Sequence, residues 1–204
     1  MMTPRYKKED RQEIQEQNRK LLLEFAAQEF ARESYHGANT NRISKSAGFA
    51  AGTIFNYFPT KNDLMLALLE GTAQAHYDFV VAAVRQSEEP QRRLEIFFEA
   101  GFEFIAQNLA PARVMVNTVY GANEEFKQHL YQGYQPMFKF VATEILVPGI
   151  TQNIFRQVDP IATANLLMTI YLGTASQVTE EGTFYLPAAQ VADFALKALL
   201  YEGE

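Results

Sequence analysis

Cysteine is absent from the 204 residues, which excludes disulfides, thiolate metal centres and cysteine nucleophiles. No stretch approaches the ~20 apolar residues that a membrane span needs. The opening run, MMTPRYKKEDRQEIQEQNRK, has no apolar core of the signal-peptide kind. A cytoplasmic protein without membrane association is therefore expected. Catalytic signatures are missing as well. There is no HExxH, GxSxG or glycine-rich phosphate loop, and His36, His76 and His129 lie far apart. His76 and Asp78 do not share a helix face suited to a metal pair, and Glu88-Glu89 and Glu180-Glu181 flank helix breaks. The histidines read as surface or core residues, and no enzyme, metal or cofactor is expected.

What is present is the composition of a globular chain, 48% hydrophobic and 21% charged, long enough for one large domain or two small ones. Its formal net charge of −6 argues against a phosphate-bearing partner only until the charge is divided. Residues 1–70 hold 10 Lys+Arg against 9 Asp+Glu, and the remainder holds 8 against 15. A locally basic face on an acidic protein can still bind DNA. Arg5, Lys7, Lys8 and Arg11 form a cationic cluster that reads as a solvated terminus, with a DNA-contacting arm as the alternative.

Helical spacing dominates the chain. Leu22, Phe25, Ala26 and Phe30 make the buried stripe of a first helix. Asn39 is a good N-cap for a second helix running to about Ser46, and Gly48 breaks it. A third short helix is expected from near Ala50 to before Pro59, and a long one follows from a cap near Thr60. Ile54 and Phe58 would anchor the third helix, leaving Thr53, Asn56 and Tyr57 on other faces, free to enter a major groove. Gly52, without a side chain, would let that helix approach another backbone closely. This is a helix-turn-helix arrangement, although a plain three-helix core fits the spacing equally well. No segment sustains a period of two, so the fold class is all-α.

Residues 30–64 resemble the amino-terminal domain of the TetR family of bacterial transcriptional regulators. The match runs in register through Phe30, Tyr35, Ile43, Ala47-Gly48, Gly52-Thr53-Ile54-Phe55, Tyr57-Phe58, Thr60-Lys61 and Leu64. Four positions depart from the pattern. Ser34 replaces a glycine after the first helix, which puts a left-handed C-cap there in doubt. Ala50 replaces a capping serine, Phe55 a tyrosine whose hydroxyl commonly reaches a phosphate, and Ser44 an alanine. The resemblance implies a three-helix helix-turn-helix DNA-binding domain over residues 1–60. A six-helix effector-binding and dimerisation domain would follow over residues 61–204.

By position in that pattern, Thr40, Asn41 and Arg42 would touch phosphate and a base edge, with Asn41 suited to adenine and the Thr53 methyl to thymine. Asn56 and Tyr57 lie where relatives contact bases or backbone, and Lys61 would take a phosphate. Lys45 faces outward and reads as solvated. The resemblance further implies a ligand cavity among the central helices. Asn117, Tyr120, Tyr134 and Tyr171 would supply its polar groups, and Phe98, Phe102, Met115, Met137 and Phe138 its apolar wall. Methionines adapt to irregular shapes, which favours an apolar or aromatic effector. Plain core remains the other reading of those aromatics.

The last two helices carry stripes suited to a homodimer interface: Ala162, Leu166, Thr169, Ile170 and Gly173 on one, Ala188, Val191, Ala192, Ala195 and Leu199 on the other. The expected function is a dimeric regulator that binds a double-stranded DNA operator, as a repressor released by a small effector. The alternative is an effector-independent architectural or partner-controlled DNA binder with a solid interior.

Overall fold

The computed structural model describes residues 8–200, with side chains from Arg11 onward. The basic cluster at Arg5, Lys7 and Lys8 lies outside the described side chains, whereas Arg11 belongs to the first helix. Among the described residues the secondary structure is helical apart from two isolated β-bridges, Phe155 with Leu200 and Val178 with Phe184. The chain forms two compact units, Met1–Leu69 and Glu70–Glu204.

In the first unit, α1 (Lys8–Gly37) buries Leu22, Ala26 and Phe30 at four-residue intervals, with Ala27 alongside. The helix kinks at Ser34, whose φ of 59° and ψ of 176° lie in a region that favours glycine. The positive φ expected of a glycine is thus kept by a serine, in an extended rather than an αL form. Lys61 braces the turn by donating from Nζ to the His36 and Ala38 carbonyls at 3.3 and 3.2 Å.

Helix α2 (Thr40–Ser46) starts where Asn39 predicts, its Oδ1 accepting from the amides of Asn41 and Arg42 at 2.9 and 3.2 Å. Gly48 and Gly52 follow, with φ of 82° and 81°. A Cβ on Gly52 would meet nothing within 4 Å. Within the chain Gly52 therefore serves its backbone angle. Two left-handed residues so close together interrupt helix formation between them. The expected third helix accordingly shrinks to a single 3₁₀ turn, Thr53–Asn56. Ala50 offers no capping oxygen, but Ser44, buried on α2, accepts from the Ile54 amide at 3.3 Å. The departure at Ser44 fastens α2 to the turn.

Helix α3 (Lys61–Val84) opens with Thr60, whose Oγ1 accepts from the Asp63 amide at 3.1 Å. Asp63 Oδ2 in turn accepts from the Thr60 amide at 3.0 Å, which makes a capping box.

In the second unit, α4 (Pro90–Gln107) buries the expected stripe of Leu94, Phe97, Phe98, Gly101, Phe102 and Ile105. α5 (Leu109–Val119) starts before Pro111, which its first turn tolerates. α6 (Glu124–Phe140) runs through a π-helical stretch, Val141–Leu146, into α7 (Val147–Thr151). Pro148 has no N–H for the Glu144 carbonyl four residues back, and Arg93 Nη1 donates to it instead at 2.9 Å. Asp159 caps α8 (Pro160–Ala175), and α9 (Ala188–Leu199) lies along α4. Val191, Ala192, Ala195 and Leu199 are buried inside the chain, which corrects their assignment to a subunit interface. Their small side chains fit α9 to its neighbour α4.

Candidate functional site

The first candidate site is the face that α2 and the 3₁₀ turn present. Asn41 and Asn56 are exposed there, and Thr40 and Thr53 are partly so. Phe55 adds an apolar ring that is 45% exposed, in place of a phenol. Tyr57 is held from behind, its hydroxyl oxygen accepting from Asn18 Nδ2 at 3.1 Å, so that its own proton remains available to a phosphate oxygen.

The two cations expected on this face are committed to the protein. Arg42 donates from Nε to both carboxylate oxygens of Glu29 at 2.8 and 2.9 Å, and its Nη2 lies 3.2 Å from Glu33. Glu29 is buried, and its Oε1 also accepts from the Asn39 amide at 2.9 Å. Burial pushes the Glu29 carboxyl up. The hydrogen bonds from Arg42 and Asn39, with the charges of Arg42 and Arg32, outweigh that and hold it below the usual range. Lys61 rests on the His36 and Ala38 carbonyls and over the Tyr35 ring, 4.9 Å from its centroid. Glu29 and Asn18 carry no motif of their own. Only the alternation of acids and apolar residues along α1 hints at their roles.

The second candidate site is a cavity of about 490 Å³ in the second unit, walled by α3, α4, α5, α6 and α8. Met115, Tyr120, Tyr134, Phe138 and Tyr171 line it, five of the nine residues expected there. Phe98, Phe102, Met137 and Asn117 do not. Asn117 is exposed, because two residues after Met115 a helix has turned to its far side. Met137 is buried in core while its neighbours Tyr134 and Phe138, four apart, face the cavity. Phe98 is buried as well, and Phe102 packs against the Phe184 ring at 4.5 Å.

His76 on α3 lies beside the cavity, though no sequence motif selects it. Its Nδ1 is 2.8 Å from the Tyr134 hydroxyl and its Nε2 is 3.0 Å from the Tyr171 hydroxyl. The Tyr134 hydroxyl donates to Met115 Sδ at 2.9 Å. The tautomer that fits is a neutral ring with the proton on Nδ1, donating to Tyr134 and accepting from Tyr171 on Nε2. Burial pushes the imidazole down to about 3, so it is uncharged at neutral pH. Burial also raises the Tyr134 and Tyr171 phenols, and all three groups are neutral. The imidazole stacks on Phe104 at 4.5 Å. Tyr171 comes this close because Gly101 has no Cβ; one there would lie 2.6 Å from the phenol ring. At the rim, Lys127 pairs with Glu124 at 2.6 Å. A signal for His76 did exist, since it falls on the buried α3 stripe of Leu69, Ala73, Val80 and Val84.

Among the described residues no group of acids and histidines could hold a metal, and no helix is long and apolar enough to cross a membrane. A helix-turn-helix unit followed by a helical unit around a cavity is an architecture suited to a DNA-binding regulator. Residues 22–68 match the family model of bacterial regulatory proteins of the tetR family. Over those residues the chain is similar to the amino-terminal domain of the TetR family of transcriptional regulators.

It is 23% identical to the fatty acid metabolism regulator protein of Bacillus subtilis over 131 residues, 63% of this chain and 68% of that one. Its fold is similar to that of the FadR regulator of Bacillus subtilis in complex with stearoyl-CoA. The TM-score there is 0.76 at 18% identity, covering 90% of this chain and 98% of the other. It is likewise similar to AibR in complex with isovaleryl coenzyme A and operator DNA, with a TM-score of 0.72, 17% identity and coverage of 90% and 98%.

Proposed function

We propose that this regulator is a homodimeric repressor that leaves its operator when a small effector with an apolar acyl or aromatic group enters the α3–α8 cavity. The single observation that carries the reading is the cavity of about 490 Å³, largely apolar, with a few neutral hydroxyls, one imidazole, the Asn165 amide and Lys127 as its polar groups. A solid interior, as an architectural DNA binder would have, leaves no such space. The acyl groups of the ligands held by FadR and AibR fit the same kind of wall. On DNA, Asn41 and Thr53 read bases and Thr40, Asn56 and Tyr57 fix the register. Arg42 and Lys61, tied to the protein, keep that surface in shape.

Effector binding favours a conformation in which the two reading faces of the dimer no longer fit successive major grooves. The test is a release titration, in which labelled operator DNA from the gene's own upstream region is challenged with acyl thioesters, fatty acids and aromatic acids. Release by at least one class at micromolar concentration is expected. Retention on DNA throughout, with no dye finding an internal site, would replace this reading with the architectural one.

A further inference from the structure

Resting on that reading of the cavity, we propose that Tyr134 is its ligand-reading hydrogen-bond donor and selects effectors with a neutral carbonyl oxygen set in an apolar chain. The argument follows the protons. Tyr171, almost fully buried, has its hydroxyl committed to the imidazole Nε2, a strong acceptor. Tyr134 lines the cavity and keeps part of its surface accessible. Its oxygen is occupied by His76 Nδ1, but its proton goes only to the Met115 thioether at 2.9 Å. A thioether is a weak acceptor, and an unbranched methionine side chain swings aside at little cost. Met115 therefore acts as a place-holder for a better acceptor, and no buried side-chain polar atom among the described residues is left without a partner.

A carbonyl oxygen entering the cavity offers the phenol a better acceptor than sulfur, with His76 behind it fixing the direction of the O–H. A ligand hydroxyl gains less, because the imidazole's one acceptor is taken by Tyr171. A carboxylate is disfavoured, since the imidazole is neutral and Lys127, the cation among the lining residues, is already paired with Glu124. What the site reads is an uncharged acceptor within hydrocarbon.

The test uses methyl nonyl ketone, the alkene in which a methylene replaces its oxygen, and decanoate, each competing with an anilinonaphthalene sulfonate dye on the full-length protein at pH 7. The ketone is expected to bind roughly 3- to 10-fold more tightly than the alkene, the size of one neutral hydrogen bond. Decanoate should bind more weakly than the ketone. Tyr134→Phe should abolish the ketone's advantage over the alkene, the ratio of the two affinities being the readout. Met115→Leu, which removes the competing sulfur and leaves the phenol proton unpaired, should enlarge that advantage, and it decides the matter if Tyr134→Phe does not fold. Equal binding of ketone and alkene, an advantage that survives Tyr134→Phe or is unmoved by Met115→Leu, or a preference for decanoate overturns the proposal while leaving the cavity reading intact. Failure of all three compounds to displace the dye sinks both.

Discussion

Lys61 closes the family motif, and position alone gives it a phosphate. Its ammonium instead lies 3.3 and 3.2 Å from the His36 and Ala38 carbonyls, at the end of α1 just after the strained Ser34. Those carbonyls lack helical partners, and a cation there also meets the negative end of the α1 dipole. Lys61→Met is therefore expected to lower folding stability by about 1–2 kcal/mol, read as a lower urea midpoint at unchanged slope. The salt dependence of operator binding should stay the same. Unchanged stability with a salt slope shallower by about one unit would return Lys61 to the DNA. Residue identity was legible in the sequence, and so was the turn that Lys61 serves. Which of two oxygen-rich partners holds the ammonium was not, because a carbonyl pair and a phosphate ask for the same side chain. The same ambiguity hides Arg42, whose partner Glu29 stands thirteen positions earlier and is brought close only when α1 packs on α2.

At the scale of elements, periodicity located almost every helix but could not say what each apolar face packs against. The caps at Asn39, Thr60 and Asp159 are those the sequence announces, because a cap is a local event between near neighbours. The α9 stripe has the spacing of an interface and yet faces α4, since small residues permit close approach equally to a helix of the same chain or of another. The open surface lies elsewhere. Leu166 on α8 is 60% exposed and Phe194 on α9 is 64% exposed, on helices that pack together. Leu166→Glu and Phe194→Glu should each yield helical monomers by sedimentation and circular dichroism. Ala195→Glu should instead unfold the second unit, because a carboxylate in that core has no partner and costs several kcal/mol. Folded monomers from Ala195→Glu would put the interface back on the small-residue stripe.

For the whole molecule, the proposed DNA-reading face and the proposed ligand cavity fall in separate compact units, and the residues of α3 belong to both. Such a division predicts variants that lose one activity and keep the other. Gly101 offers the sharpest case. A Cβ there would lie 2.6 Å from a Tyr171 ring carbon and 3.0 Å from its hydroxyl oxygen, and the α4 backbone is fixed by its own hydrogen bonds. In Gly101→Ala the phenol must therefore shift, which breaks its bond to His76 Nε2 and reshapes the cavity wall. Overpacking of this kind costs about 1–3 kcal/mol, within the reserve of an ordinary domain. The variant should fold, hold operator DNA within about threefold of the parent when no effector is present, and need at least tenfold more effector for release, a coupling loss of about 1.4 kcal/mol. Operator titrations with and without effector, alongside a thermal melt, measure all three. Normal release by a well-folded Gly101→Ala protein would mean that the effector's energy enters the molecule by some route other than the Tyr171 wall. Loss of operator affinity in the effector-free variant would mean instead that this wall is already set for DNA before any ligand arrives.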